Sequence, residues 1–193
     1  MSAPPGEYYT DERWQNWIER IDEEDIDPED EDSARLLLNL QDDAAIAVAK
    51  IVTDYEDGEL DEEETLAELA KVREIVLEDV EMNDEEKLMV IDGVQTSLVC
   101  VFYAAEEYVA GDVAEAPIAD LIEAASDAEE DENVDAALGY CARAGTHIFA
   151  DEEELSMDVV DDLEFGLVAE WVNGLDSLQT ALSDPEVVEE DDD

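Results

Sequence analysis

Basic residues are nearly missing from this chain. Three lysines, five arginines and one histidine stand against 61 aspartates and glutamates in 193 residues, a formal net charge of −53. A protein that neutralises DNA or RNA phosphates needs a lysine and arginine face, and docking on an anionic membrane needs the same. Direct nucleic-acid binding and membrane binding are therefore not expected. Two cysteines, Cys100 and Cys141, make no disulfide framework; both fall on expected apolar helix faces, where a thiol is a small buried group. A single histidine, His147, excludes the two Glu-x-x-His motifs of a di-iron bundle, and a zinc site from Cys100, Cys141 and His147 would need distant helices to converge. The longest unbroken apolar run, Leu98 to Ala105, has eight residues, far short of the ~20 of a membrane span. The first residues, Met1 to Glu7, carry neither the basic nor the apolar part of a secretory signal. No alternating β-branched and aromatic run argues for a sheet. No phosphate-cradling glycine loop or nucleophile-elbow motif occurs. With 61 acids, paired carboxylates arise by chance and single out no acid–base pair. No cofactor is implied.

What is present is an apolar complement large enough to fold. Leu, Ile, Val and Phe number 18, 10, 18 and 3 of the 193 residues, above the roughly 20% below which disorder is the rule. A fold of this mass exposes about 9,000 Å², so 53 net charges lie about 13 Å apart. The Debye length is ~10 Å at 0.1 M salt and ~3 Å at 1 M, so these charges repel in dilute buffer and hardly do so in molar salt. Short, strongly hydrated carboxylates in place of lysine stems suit a halophilic archaeal cytosol, where solvated cations are the chain's constant company. Acidic proteins whose charge is itself the function, histone-chaperone-like or nucleic-acid-mimicking, are the alternative.

The apolar residues recur at helical spacing. A first helix is expected from Thr10 as N-cap to about Glu24, with Trp14, Trp17, Ile18 and Ile21 in one stripe. Asp22 to Asp32 is nearly all acidic, and the next helix opens at Pro28 or at Ser33, runs to Tyr55 and stops at Gly58. Asp61 with Glu64 forms an aspartate version of the capping box for a third helix. The fourth, from Asn83 or Asp84 to Ala110, is apolar on nearly all sides, as a central helix is; Gly93, Ser97, Ala104 and Ala105 would allow close approach. Pro117 opens a short fifth helix, the acidic run Ser126 to Glu132 is a loop, and a sixth helix covers about Val134 to His147. Asp151 or Ser156 caps a last segment that carries apolar residues at 3–4 spacing from Val160 to Leu182. The expectation is an all-α, single-domain bundle of about seven helices built from antiparallel hairpins. An N-terminal extension covers 1–9, the helical domain 10–184 and an acidic disordered tail 185–193.

Three constellations are worth locating. Asp57, Asp61 and Glu64 fall at positions five, nine and twelve of a calcium loop, but Thr53 and Tyr55 stand where the early carboxylates belong; a capped turn between two helices explains the same residues. Cys141, Arg143 and His147 share a small-residue stretch that holds the only histidine. Arg143 could pair with a buried carboxylate or bind an anionic ligand, which makes these three the ligand or enzyme candidates. The first helix concentrates Tyr8, Tyr9, Trp14 and Trp17 beside Arg13 and Arg20. Trp, Tyr and Arg anchor interfaces, so Arg13, Trp14, Trp17 and Arg20 are the partner-binding candidates, unless the helix packs on its own core.

The blocks Tyr9 to Trp17, Ser33 to Asp43 and Asp92 to Glu106 resemble an uncharacterised archaeal family found in haloarchaea, the domain of unknown function numbered twenty-one fifty. The resemblance covers most of the chain. It implies an archaeal, cytoplasmic protein and brings no activity or site residues. The expected function is a non-enzymatic protein-interaction or regulatory role, with another protein or a second copy (a homodimer) as partner. Ligand binding or catalysis near Arg143 and His147, and cation binding at Asp57 to Glu64, are the alternatives.

Overall fold

A computed structural model describes residues 8–27, 29–164 and 166–183. The expected extension up to residue 7, Pro28 as a helix opener and the acidic tail with Pro185 lie outside the described residues. Among these residues there are eight helices and no strand: α1 Asp11–Glu23, α2 Glu31–Glu56, α3 Glu62–Val76, α4 Glu85–Ala110, α5 Ile118–Glu130, α6 Val134–Ala150, α7 Met157–Asp161 and α8 Leu167–Ser183.

Local chemistry sets most of these boundaries. Thr10, Asp84, Asn133 and Ser156 cap α1, α4, α6 and α7 with side-chain oxygens that accept from first-turn amides, satisfying donors a helix cannot pair internally. Asp61 and Glu64 close a reciprocal capping box on α3. Gly58, at φ +79°, takes the left-handed turn after α2 that a residue with a Cβ resists. Two caps come from far away. Glu153 accepts from the Ile118 amide of α5 at 2.9 Å, and Glu129 accepts from the Leu167 and Val168 amides of α8 at 2.7 and 3.3 Å.

Helix α4 is the axis of the bundle and packs against α2, α3, α6 and α8. It is long and apolar enough to cross a membrane, yet half of that apolar window is buried against its neighbours, as the core helix of a bundle is. One buried apolar cluster runs from Tyr9 to Ala181. Two expectations are corrected. The run Ser126 to Glu132 is helical through Glu130, because Ala125 and Ala128 bury a face of α5 while Glu129 reaches the start of α8. Helix α5 packs on α6. The last apolar segment is two helices, α7 and α8, which brings the total to eight.

Candidate functional site

The outer end of α1 is tied inward through one carboxylate. Asp43 of α2, 9% exposed, accepts from Arg13 Nε at 2.8 Å and from Arg13 Nη2. The same carboxylate accepts from the Trp17 indole Nε1 at 2.9 Å. The guanidinium of Arg13 also lies over the Tyr9 ring, 5.8 Å from its centroid. Burial first, and then the Asp43 carboxylate, push the Tyr9 phenol well above its ordinary pKa. Tyr8 is raised likewise by burial and by its hydrogen bond to Asp54. Trp14 is only 1% exposed, so its ring belongs to the core and not to a surface. Its indole Nε1 and the Tyr9 hydroxyl are buried and complete no hydrogen bond among the described residues. Arg20 remains outside. Its side chain is 57% exposed, its guanidinium sits 5.7 Å from the Trp17 ring centroid, and Nε reaches Glu24 at 3.5 Å. The four partner-binding candidates thus separate: Trp14 is buried, Arg13 and Trp17 hold α1 to α2, and Arg20 faces solvent beside the half-buried indole.

At the turn after α2, the metal-like residues are spent on the backbone. Asp61 Oδ1 accepts from the Glu64 amide at 2.8 Å, and Glu64 Oε2 accepts from the Asp61 amide at 3.0 Å. Asp57 ends α2 and is exposed. No three His, Cys, Asp or Glu side chains stand together as a metal site among the described residues.

Along α6 the three ligand candidates part company. Cys141 is fully buried beside Cys100 of α4. Burial, then the neighbouring Cys141 thiol, push the Cys100 thiol well up, which keeps it protonated and a poor nucleophile. Arg143 is exposed. His147 is 4% exposed, with Nε2 2.7 Å from the Ala116 carbonyl oxygen. Its Nδ1 is buried and finds no hydrogen-bond partner among the described residues; the nearest carboxylate oxygen, Glu152 Oε2, lies at 3.8 Å. An open depression of about 670 Å³ borders the ring, lined by Val113, Ala114, Glu115, His147, Glu152 and Glu153. The company of His147 is therefore three glutamates, not a thiol and a guanidinium. The one local sign of this is Asp151, left-handed at φ 55°, which folds the chain back so that the Glu152 amide donates to the His147 carbonyl at 3.1 Å. Asp43, Glu115 and Glu152 had no signal in the sequence, each being one acid among many.

Compared with known proteins, residues 7–191 match the family model described as "Uncharacterized protein conserved in archaea (DUF2150)". No curated protein and no solved structure matches the chain.

Proposed function

The chain belongs to this family of uncharacterized archaeal proteins, and from its own geometry we propose a non-enzymatic interaction protein of a high-salt archaeal cytosol. The observation that carries the proposal is the outer face of α1, where the exposed Arg20 guanidinium lies over the Trp17 indole on a chain of net charge −53. A cation stacked on an aromatic ring is a compact anchor for an acidic partner. A second copy of this chain is the simplest acidic partner, with Arg20 of each copy meeting carboxylates of the other. The dispersal of Cys141, Arg143 and His147 also favours binding over catalysis, since the buried Cys141 thiol lies beside Cys100 and not beside the imidazole.

Two such acidic chains can approach only when their charge is screened, so association is expected to strengthen from 0.1 M to molar KCl. Sedimentation of the intact chain across that range, with and without Arg20→Glu, is the test. Arg20 is exposed, so its reversal spares the core, as Trp14→Ala would not. The expected result is a dimer in molar KCl that Arg20→Glu returns to monomer. A monomer at every salt, or a dimer indifferent to the substitution, would remove self-association through α1.

A further inference from the structure

We propose that the depression beside α6 binds a primary ammonium group, presented by a small amine or by a lysine side chain. This site is separate from α1 and does not depend on the reading above.

The chemistry starts with the orientation of His147. A carbonyl oxygen can only accept, so Nε2, 2.7 Å from the Ala116 oxygen, carries the ring hydrogen. In the neutral ring Nδ1 then presents a lone pair. That atom is buried without a partner in a side chain only 5% exposed, and buried acceptors are ordinarily paired. Glu152 Oε2, another acceptor, lies 3.8 Å from it. Glu115 and Glu153 complete the polar lining, and Glu153 already accepts from the Ile118 amide. The wall thus offers the Glu115 and Glu152 carboxylates, with the imidazole nitrogen buried just inside it.

A compact donor cation fits this gap. A nitrogen about 2.8 Å from each acceptor, the usual charge-assisted length, sits at the apex of a triangle whose base is the 3.8 Å separation of Nδ1 and Glu152 Oε2. An ammonium carries three N–H donors and no acceptor; two serve that pair and the third is left to solvent in the open depression. An anion is excluded by the carboxylates. A metal ion is disfavoured because the lining side chains do not converge as a coordination set. A guanidinium matches a single carboxylate edge through its planar fork and has no need of the imidazole. The Glu152 side chain, 61% exposed, is free to swing aside for entry.

Because the chain has one histidine, its ring nitrogens can be followed by NMR without ambiguity. In about 2 M KCl, methylammonium is expected to shift Nδ1 in a saturable way and leave Nε2 nearly unmoved. Tetramethylammonium, of equal charge but without N–H, should do nothing. Glu152→Gln, an exposed substitution that leaves the core intact, should weaken methylammonium binding about tenfold or more. Absence of saturable shift, an equal response to tetramethylammonium, undiminished binding by Glu152→Gln, or an Nδ1 already protonated before ligand is added would each overturn the site. Titrations with 1,4-diaminobutane and with Nα-acetyl-lysine methylamide then separate the two sources, tighter binding of either one assigning the ammonium to a free amine or to a partner's lysine.

Discussion

Gly174 and Gly145 set how closely the helices around α4 can come. A Cβ on Gly174 would lie 2.1 Å from the backbone oxygen of Ser97, and one on Gly145 would lie 2.5 Å from the Ala104 Cβ and 2.9 Å from Leu175 Cδ2. The small residues of α4 are thus half of the arrangement, and glycines on α6 and α8 are the other half. Gly93, the glycine singled out from the sequence for close approach, has nothing within 4 Å of where its Cβ would be. The two kinds of site should respond with opposite signs. Gly174→Ala meets backbone that cannot rotate away, and should destabilise by about 3 kcal/mol or more. Gly93→Ala adds a methyl in open space within a helix, and should stabilise by about 0.5–1 kcal/mol. Urea unfolding in constant molar KCl reads both differences, since urea leaves the ionic strength alone.

At the scale of elements, α1 is the part whose attachment is easiest to isolate. It buries Trp14, Ile18 and Ile21, and Asp43 serves both Arg13 and Trp17 as a shared polar tether, while Lys87 of α4 donates to the Asp22 carbonyl at 2.7 Å nearer the helix end. Asp43→Ala should weaken the docking of α1 by about 1–3 kcal/mol. Amides of residues 11–23 should then exchange faster in hydrogen–deuterium exchange, while those of α4 stay protected; uniform acceleration would mean that α1 is no separate unit. The helices themselves were readable because their signals are local: Thr10, Asp61 with Glu64 and Gly58 act within a turn of where they stand. The errors came where distant contacts decide. Glu129 looks like loop composition until α8 arrives to use it as a cap, and the spacing of Val160 and Leu163 runs on past a break that only the tertiary fold requires. The site was hidden for the same reason. His147 was visible as the only histidine, but its partner carbonyl is 31 residues away, and Glu152 reaches it through the left-handed turn at Asp151.

For the molecule as a whole, salt and acid should act in the same direction. Most of the carboxylates among the described residues are exposed, so their mutual repulsion is a property of the surface and falls as KCl screens it. Three acids are constrained further. Burial raises Asp42, with Asp176 adding to it against a hydrogen bond from Ser177. Burial also raises Glu56, with Asp57 adding and Tyr108 opposing, and it raises Glu170, with Asp92 and Glu129 adding. Each of these groups binds its proton more readily folded than unfolded. The unfolded chain therefore holds fewer protons between the ordinary carboxylate value and the raised one, and stability must fall as pH rises through that window. Acidification from pH 7 to about pH 5, toward the ordinary carboxylate range near 4, should raise the melting temperature by a few degrees, each 1 kcal/mol being worth about 2–4 °C at this chain length. The rise should be larger in dilute buffer than in molar KCl, because surface repulsion contributes only where it is unscreened. Glu170→Gln removes one raised acid without removing its volume, so it should increase stability at pH 7 and flatten the acid response. Thermal melts by circular dichroism over both variables distinguish the outcomes. A melting temperature that fell on mild acidification in dilute buffer would mean that carboxylates stabilised by their folded-state partners outweigh those that are crowded.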